Sequence, residues 1–318
     1  MSEPTIGGIH HITAIAGEPQ RNLDFYTGVL GLRLVKLTVN FDDPGTYHFY
    51  FGDRRGSPGS ILTFFPWAGV PRGTTGNGMV SATSFAVPKE SLDWWRARLT
   101  EHGAPVEDLG LRFGEPVLPF ADPDGLPLEM IGTAAAGRDT TWTAAVDARH
   151  AITGFHSATL AEEGYEKTAG LLQVMGLSPA GTEGNRFRYR MGPGGSAAIV
   201  DVVCAPDGRP GRPGAGTVHH IAWRTPDDAQ QLAWRKRLAD AGHDVTPVQD
   251  RSYFHSIYYH EPGGILFEIA TDPPGFARDE DPDHLGERLM LPPQFECHRA
   301  ALERALPPLK LPLPKARA

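Results

Sequence analysis

Two histidine pairs and one glutamate are the residues of this chain best suited to chemistry. The pairs are His10-His11 and His219-His220, and each stands in an apolar, strand-like run. Glu268 stands alone among apolar neighbours in a third run of this kind. Two imidazoles and one carboxylate form a metal site that leaves coordination positions open for other ligands. Because a lone buried carboxylate is costly without a partner or a metal, the pattern predicts a mononuclear metal site.

The alternation of side chains along a strand decides which histidine of each pair faces the metal. Adjacent strand residues point to opposite faces, so one histidine of each pair is expected to face a shared cavity. His10 and His219 share their faces with the more apolar neighbours, which are expected to pack under helices. The predicted ligands are therefore His11, His220 and Glu268. A one-residue bulge would reverse the alternation and, with it, this assignment.

Most of the chain consists of four copies of one small unit. The first copy predicts a strand, a helix and three further strands, over residues 9–15, 19–30, 34–40, 47–51 and 61–65. The other copies begin with strands over residues 80–87, 155–160 and 218–224. We therefore predict an α+β fold, in which four βαβββ modules form two cup-shaped domains with mixed sheets, followed by a C-terminal tail.

The chain is predicted to divide into two pairs of modules with a linker and an extension. Modules one and two span residues 1–132, and modules three and four span 151–272. The linker, residues 133–150, is rich in Ala, Thr and Gly. The C-terminal extension, residues 273–318, has no counterpart in the repeat. It is expected to pack on the outside of the modules or on a second subunit.

Comparison of one position across the four modules predicts a single metal per chain. Modules two and three have alanine and serine where modules one and four have the second histidine. The position of Glu268 is taken by Phe64 in module one, by Glu129 in module two and by an apolar residue near Ile199 in module three. Glu129 is interpreted as a pairing residue. The metal site is therefore expected between modules one and four.

The bulk composition limits the classes of partner. The chain has 318 residues, a formal net charge of −8 and no basic stripe, which argues against nucleic acid or an anionic membrane surface as partner. Its two cysteines, Cys204 and Cys297, provide no disulfide framework and no thiolate metal spacing. No apolar run reaches membrane-spanning length and no signal pattern is visible, so a cytoplasmic location is expected. The sequence leaves open whether the chain forms a homo-oligomer.

The repeated unit and the paired histidines resemble the vicinal oxygen chelate superfamily, which includes glyoxalases, bleomycin-resistance proteins and extradiol dioxygenases. Within it, the sequence is most similar to the hydroquinone-type ring-cleaving dioxygenases. The resemblance covers nearly the whole chain. The motifs that carry it are Gly-Ile-His-His-Ile-Thr at 8–13, Gly-Thr-Val-His-His-Ile-Ala at 216–222, Asp-Arg-Ser-Tyr-Phe at 250–254 and Glu-Pro-Gly-Gly-Ile-Leu-Phe-Glu-Ile at 261–269.

This resemblance implies a reaction and a set of residue roles. It implies a small aromatic substrate, dioxygen and Fe(II), with Mn(II) as the alternative metal. Tyr258 matches a family tyrosine that hydrogen-bonds bound oxygen or transfers a proton, and Arg251 matches an arginine that stabilises negative charge. His10 and Thr13 are supporting candidates on the resemblance alone. His255, three residues before Tyr258, is a further acid–base candidate.

Two other functions stay open on the sequence. A glyoxalase I-like isomerase or lyase would use two histidines and two glutamates, whereas module one has Phe64 at the place of a second glutamate. A non-catalytic protein that sequesters an aromatic or antibiotic ligand would not need a complete set of metal ligands. The remaining histidines, including His48, are interpreted as ordinary structural residues.

Overall fold

Two eight-stranded mixed sheets, each curled into a cup, form the body of the protein. The structure is a computed structural model, and it describes residues 3–134, 140–192, 194–195 and 197–312. Residues 135–139 of the predicted linker and 313–318 of the predicted extension lie outside the described residues. The predicted α+β fold with two cup-shaped mixed sheets is confirmed.

Each of the four modules supplies four strands. Module one has β1 (Ile9–Ala16), β2 (Arg33–Val39), β3 (Tyr47–Gly52) and β4 (Ile61–Pro66). Module two has β5 (Met79–Pro88), β6 (Gly110–Arg112), β7 (Glu115–Ala121) and β8 (Pro127–Thr133). Module three has β9 (Phe155–Glu162), β10 (Leu177–Glu183), β11 (Arg186–Met191) and β12 (Ile199–Cys204). Module four has β13 (Thr217–Thr225), β14 (Gln249–Asp250), β15 (Phe254–His260) and β16 (Leu266–Pro274).

A helix follows the first strand of each module. These helices are α1 (Pro19–Asp24), α2 (Leu92–Glu101), α3 (Glu166–Val174) and α4 (Asp228–Asp240). The helix predicted over residues 19–30 begins with a proline at its first position and changes to a π-helical pattern at Phe25–Val29. The described part of the C-terminal extension contains a 3₁₀ helix, Pro293–His298, and α5, Arg299–Ala305. Among the described residues, no helix is both long and apolar enough to cross a membrane.

Each sheet combines one module from the first half of the chain with one module from the second half. The first sheet has the strand order β14-β15-β16-β13-β1-β4-β3-β2, and it therefore combines modules four and one. The second sheet has the order β10-β11-β12-β9-β5-β8-β7-β6, and it combines modules three and two. At the centre of each sheet the first strands of two modules run antiparallel, β1 with β13 and β5 with β9. Residues about two hundred positions apart, such as His11 and His220, can meet there for this reason.

One-residue bulges interrupt the central strand pair of the first sheet. The register of β1 against β13 shifts between Ile9 and His11, which leaves His10 as the extra residue. A second shift leaves His219 as the extra residue on β13. A bulge bends its strand and disturbs the alternation of side chains. Strict alternation therefore fails at both histidine pairs.

The helices bury one face of each sheet and leave the other face free to form a cavity. Trp95 of α2 and Trp234 of α4 are fully buried in the main apolar core. A smaller apolar cluster, which includes Tyr50, Phe254 and Phe276, lies on the cavity side of the first sheet. Because the central strands are buried on both faces, their sequences read as nearly continuous apolar runs in which any polar residue stands out.

The C-terminal extension packs along the outer edge of the first sheet. Lys36 on β2 is fully buried and binds the carboxylates of Asp279, at 2.6 Å, and Glu280. A parallel bridge also joins Leu37 to Leu289. An edge strand carries unpaired backbone groups that can bind another chain, so the extension protects β2 from such pairing.

Buried carboxylates join the two sheets. Asp124, in the loop before β8 of the second sheet, accepts a hydrogen bond of 2.8 Å from the backbone N–H of Gly17 in module one. At the corresponding junction of modules three and four, Glu261 accepts a hydrogen bond of 2.6 Å from the Thr168 hydroxyl of α3. Glu162 lies fully buried beside Glu261. Burial and the neighbouring Glu261 raise the pKa of Glu162 to about 8.

We expect the Glu162→Gln variant to lose stability less steeply than the native chain as the pH rises. Because its pKa is raised to about 8 from an ordinary value of about 4.5, Glu162 keeps a proton in the folded state that the unfolded chain releases. Its contribution to stability is complete below the unfolded pKa and is lost as the pH rises through the folded pKa. Glutamine imitates the protonated acid, so the urea midpoint should vary less between about pH 6 and 9. The exposed neighbour supplies a control, Glu163→Gln, and equal slopes in the two variants would contradict the prediction.

Candidate metal centre

His11, His220 and Glu268 converge at the centre of the first sheet. They lie on β1, β13 and β16, which are adjacent strands. The Nε2 atoms of the two histidines are 3.4 Å apart, and Oε2 of Glu268 lies 3.3 Å from that of His11 and 2.9 Å from that of His220. All three side chains are buried. Within the part of the chain that the structure describes, no other group of three His, Cys, Asp or Glu side chains meets this closely.

The three donor atoms fit a divalent metal ion. Two ligands about 2.1 Å from an ion and at right angles to each other are about 3 Å apart, which is close to the separations of these atoms. Lone pairs of a carboxylate and two imidazoles face one another here, and such an arrangement needs a cation or shared protons between them. Imidazole and carboxylate together suit Fe, Mn or Zn better than the all-oxygen sites of Ca²⁺ and Mg²⁺.

Glu268 stays ionised although it is completely buried. Burial opposes its ionisation, but His11 and His220 outweigh burial and hold the pKa of Glu268 well below its usual range. The Ser256 hydroxyl, on the neighbouring strand β15, donates a hydrogen bond to Oε1. Oε2 is directed at the two imidazoles. One carboxylate oxygen is thus held by the protein and the other is available to a cation.

The first histidine of each pair orients the second. Nδ1 of His10 lies 2.9 Å from Nδ1 of His11, and Nδ1 of His219 lies 2.8 Å from Nδ1 of His220. Burial lowers the pKa of His10 well below its ordinary value and that of His219 to about 4, so both rings are neutral at pH 7. An acceptor nitrogen on the first ring keeps the proton of the second ring on Nδ1. Nε2 of His11 and of His220 is then free to bind a metal.

The prediction that His10 and His219 pack under the helices is wrong. His10 packs against Phe254, a residue of the cavity wall, with ring centres 5.2 Å apart, and His219 lines the cavity itself. The bulges at these two positions are the physical cause, because they disturb the alternation on which the prediction depended. His11 and His220 are nevertheless the two histidines that meet Glu268.

A cavity of about 540 Å³ opens beside the three donor groups. Aromatic side chains form much of its wall, and polar groups stand among them. The Phe, Tyr and Trp residues among them are Phe41, Tyr50, Phe65, Trp67, Phe254 and Tyr258. A concave, largely apolar space with a few convergent polar groups is typical of a small-molecule site.

Arg251 and Tyr258 form a polar wall of this cavity. Tyr258 is paired with Glu268 across β15 and β16. Nε of Arg251 donates a hydrogen bond of 3.2 Å to the Tyr258 hydroxyl, and its guanidinium binds Asp42 at 3.0 Å. Burial opposes the charge of Arg251, but Tyr258 and Asp42 outweigh it and raise the pKa of Arg251. Burial and Glu268 raise the pKa of Tyr258, so the wall presents a cation and a neutral phenol.

Module one contributes two cavity residues that were not predicted from the sequence, His48 and Tyr50. His48, interpreted from the sequence as ordinary, lines the cavity together with Tyr50 and Thr13. Its Nε2 lies 2.9 Å from the hydroxyl of Thr63, which lies 2.8 Å from that of Thr13. The alternation of β3 could have indicated this, because His48 and Tyr50 are two residues apart and share a face. The strand register that brings them to the cavity is not visible in the sequence.

His255 lies outside the cavity. Its Nδ1 is 2.6 Å from the carboxylate of Asp228 on α4, so the ring faces the helices. Tyr258 lines the cavity, whereas His255 is not among the described residues that line it. The structure does not support the acid–base role predicted for His255.

The strand register corrects two positions in the comparison of modules. In the parallel ladders, the counterpart of Glu268 in module one is Thr63 rather than Phe64. In module three the counterpart is Asp201 rather than an apolar residue near Ile199. A shift of one residue along a strand changes the face on which a side chain lies, so the predicted positions were misplaced.

Ion pairs occupy the corresponding place in the second sheet. Arg112 forms two hydrogen bonds of 2.6 Å with Glu129, which confirms the interpretation of Glu129 as a pairing residue. Arg188 binds Asp201 at 2.8 Å and 3.1 Å, and it binds Glu115 at 2.7 Å. Guanidinium groups thus supply the positive charge that a metal ion would supply in the first sheet.

Comparison with known proteins identifies the family. The sequence model of the Glyoxalase/Bleomycin resistance protein/Dioxygenase superfamily matches this chain over residues 8–130 and 130–275. The chain therefore belongs to this superfamily, as its resemblance to the vicinal oxygen chelate proteins predicted.

Relatives that match nearly the whole chain carry dioxygenase names. MhqO of Bacillus subtilis, an inferred ring-cleaving dioxygenase, is 53% identical over 313 residues, covering 98% of this chain and 99% of that protein. The chlorohydroquinone/hydroquinone 1,2-dioxygenase of Sphingobium indicum is 37% identical over 310 residues, covering 95% and 96%. The crystal structure of an inferred dioxygenase from Bacillus subtilis superposes with a TM-score of 0.92 at 53% identity, covering 98% and 99%. Glyoxalase I from Zea mays shares the fold, with a TM-score of 0.63 at 13% identity over 83% of this chain and 92% of that one.

We expect replacement of His11, His220 or Glu268 by alanine to remove most bound metal while the fold persists. Each change leaves two of three donors, and two donors hold a divalent ion weakly. The measurement is the metal content of anaerobically purified protein, with circular dichroism as the check on folding. His219→Ala is the matched control, and it should keep its metal when the metal ion is supplied in excess. Full occupancy in His220→Ala would refute the assignment.

Proposed function

We propose that this protein is a ring-cleaving dioxygenase that uses Fe(II), held by His11, His220 and Glu268, to open hydroquinone-type aromatics. The observation that carries the proposal is the position of three convergent donors beside a cavity walled by aromatic rings. Substrates of this class carry two hydroxyl groups on the ring, with or without further substituents. The relative from Sphingobium indicum is named for such substrates.

The proposed metal leaves room for the reactants, and the chain supplies the remaining groups. Three protein donors leave coordination positions for a phenolic oxygen and dioxygen. When bound, Fe(II) supplies Lewis acidity toward the phenolic oxygen and electrons to dioxygen, and Mn(II) is the alternative metal. Arg251 would stabilise negative charge on a ring oxygen, and Tyr258 would hold or donate a proton. His10 would act through the ring of His11, and Thr13 from the cavity wall.

The polar wall favours hydroquinones over catechols as substrates. A catechol binds a metal through two adjacent oxygens, whereas a para-hydroquinone offers only one. Other groups must then hold the ring in place, and a charged donor beside a neutral one is suited to this. Arg251 and Tyr258 are hydrogen-bonded to each other at the cavity wall, next to Glu268.

The two alternative functions have less support from the site. A glyoxalase I-like isomerase or lyase usually has a fourth protein ligand, but the matching position holds Thr63, whose hydroxyl lies within hydrogen-bonding distance of Thr13 and His48. A non-catalytic protein that binds an aromatic or antibiotic ligand would need the cavity but not three convergent donors. The test of all three is metal analysis of anaerobically purified protein together with oxygen-electrode assays on hydroquinones and catechols. Bound iron with oxygen uptake supports the dioxygenase, whereas metal-free protein without uptake supports a binding protein.

We expect Tyr258→Phe to slow ring cleavage by about one to a few orders of magnitude while metal is retained. The change removes one hydroxyl that can transfer a proton, and loss of acid–base assistance typically has this size. The measurement is kcat with a hydroquinone, beside the metal content of the same preparation. A Tyr259→Phe variant is the matched control, because that ring lies on the other face of β15. Native kcat in Tyr258→Phe would exclude the role.

We expect kcat/KM to be higher for a substituted hydroquinone than for the catechol with the same substituent. The physical reason is that Arg251 and Tyr258 hold a ring that the metal binds through a single oxygen. Both efficiencies are measured with the same enzyme preparation and the same oxygen concentration. A ratio that favours the catechol would place the protein with catechol-cleaving enzymes and remove the special role of Arg251.

A further inference from the structure

The wall of the cavity opposite Tyr258 carries a second tyrosine in an equivalent position. Tyr258 pairs with Glu268 across β15 and β16, and Tyr50 pairs with Thr63 across β3 and β4. Thr63 is the counterpart of Glu268 in module one. Tyr50 is therefore the counterpart of Tyr258, and both line the cavity.

Tyr50 is one end of a continuous chain of hydrogen bonds. Its hydroxyl lies 2.9 Å from Nδ1 of His48, and Nε2 of His48 lies 2.9 Å from the hydroxyl of Thr63. The Thr63 hydroxyl lies 2.8 Å from that of Thr13. Tyr50, His48 and Thr13 line the cavity, whereas Thr63 is completely buried behind them. The chain therefore begins and ends at the same cavity, and we call it the Tyr50–Thr13 chain.

The chemistry of the four side chains sets the direction of the hydrogen bonds. Burial and the imidazoles of His11 and His220 lower the pKa of His48, so its ring is neutral, with one donor and one acceptor nitrogen. A phenol is a stronger acid than a neutral imidazole N–H, so Tyr50 donates to Nδ1. Nε2–H then donates to Thr63, and Thr63 donates to Thr13. In this state Tyr50 offers a lone pair to the cavity and Thr13 offers a proton.

We propose that the Tyr50–Thr13 chain accepts a proton from a hydroxyl of the bound aromatic ring at Tyr50 and delivers another proton into the cavity at Thr13. This inference rests on the proposed function, because it requires a phenolic substrate. The substrate O–H bond breaks and the Tyr50 oxygen gains that proton. Tyr50 passes its own proton to Nδ1 of His48, and Nε2 releases a proton to Thr63. Thr63 passes its proton to Thr13, and Thr13 releases one to an acceptor oxygen in the cavity, so no charge remains on the chain.

The two tyrosines have different partners, and so they have different tasks. Arg251 donates to the Tyr258 hydroxyl, which keeps that phenol beside a permanent cation. Tyr50 instead faces an acceptor nitrogen of His48, a ring that can take up one proton while it releases another. Tyr258 is suited to holding or donating its own proton beside a cation, and Tyr50 is suited to relaying a proton along a chain. A substrate ring with two hydroxyl groups can contact Tyr258 on one wall of the cavity and Tyr50 on the other.

The first test is the protonation state of His48, read by nitrogen NMR on protein labelled in its histidines and loaded with diamagnetic Zn(II). We expect one neutral ring with the proton on Nε2 at pH 7, and we expect its signals to shift when hydroquinone is added without oxygen. The His48→Gln variant lacks these signals and so assigns them. A proton on Nδ1, a doubly protonated ring or no response to saturating hydroquinone would overturn the proposal.

The second test separates proton transfer from hydrogen bonding. In His48→Gln the carboxamide can still accept from Tyr50 and donate to Thr63, but it does not relay a proton. We expect kcat to fall about 100-fold while KM stays within about threefold and metal is retained. In His48→Leu both connections are lost, so KM should rise as well. Native kcat in His48→Gln would overturn the proposal.

A matched control and an independent readout make failure of this proposal distinct from failure of the proposed function. His243 packs against Tyr259 with ring centres 5.5 Å apart, outside the residues that line the cavity, so His243→Gln should keep native kinetics. If the native protein took up no oxygen with any hydroquinone, the proposed function would fail. The NMR response of His48 to hydroquinone would still decide whether the chain accepts a phenolic hydroxyl.

Discussion

The antiparallel pairing of β1 with β13 is the constraint on which the whole site depends. Neither module has a complete set of donors, since module one brings His11 and module four brings His220 and Glu268. Only the exchange of partners between the two halves of the chain brings the two histidine nitrogens to 3.4 Å.

Burial of ionised groups is the main energetic difficulty of such a centre. An isolated carboxylate in an apolar interior is strongly disfavoured, and the fold offsets this by directing two imidazoles at one oxygen of Glu268 and a serine hydroxyl at the other. The neutral rings of His10 and His219 add no further positive charge. They fix the orientation of the donors instead, through hydrogen bonds between neighbouring ring nitrogens.

The sequence was sufficient to predict that His11, His220 and Glu268 meet, but not what surrounds them, for identifiable physical reasons. The prediction of His11, His220 and Glu268 was possible because polar residues stand out in strands that are buried on both faces. The repeat also allowed equivalent positions to be compared between modules. The place of His10 and His219 was mispredicted because a bulge is a property of strand pairing and leaves no mark in residue type. Phe64 was named as the counterpart of Glu268, where the structure has Thr63, because the strand register is not visible in the sequence. The contact of His255 with α4 is likewise not visible in the sequence.

The ion pairs of the second sheet have a consequence for how the two halves of the molecule can diverge. Arg188 and Asp201 are almost completely buried, and removal of one partner from a buried pair destabilises a protein by about 3–5 kcal/mol, because the other charge is left alone. A gradual route by single substitutions from this network to a second metal centre would pass through such intermediates. The ion pairs of the second sheet are therefore held in their present state by the requirements of folding.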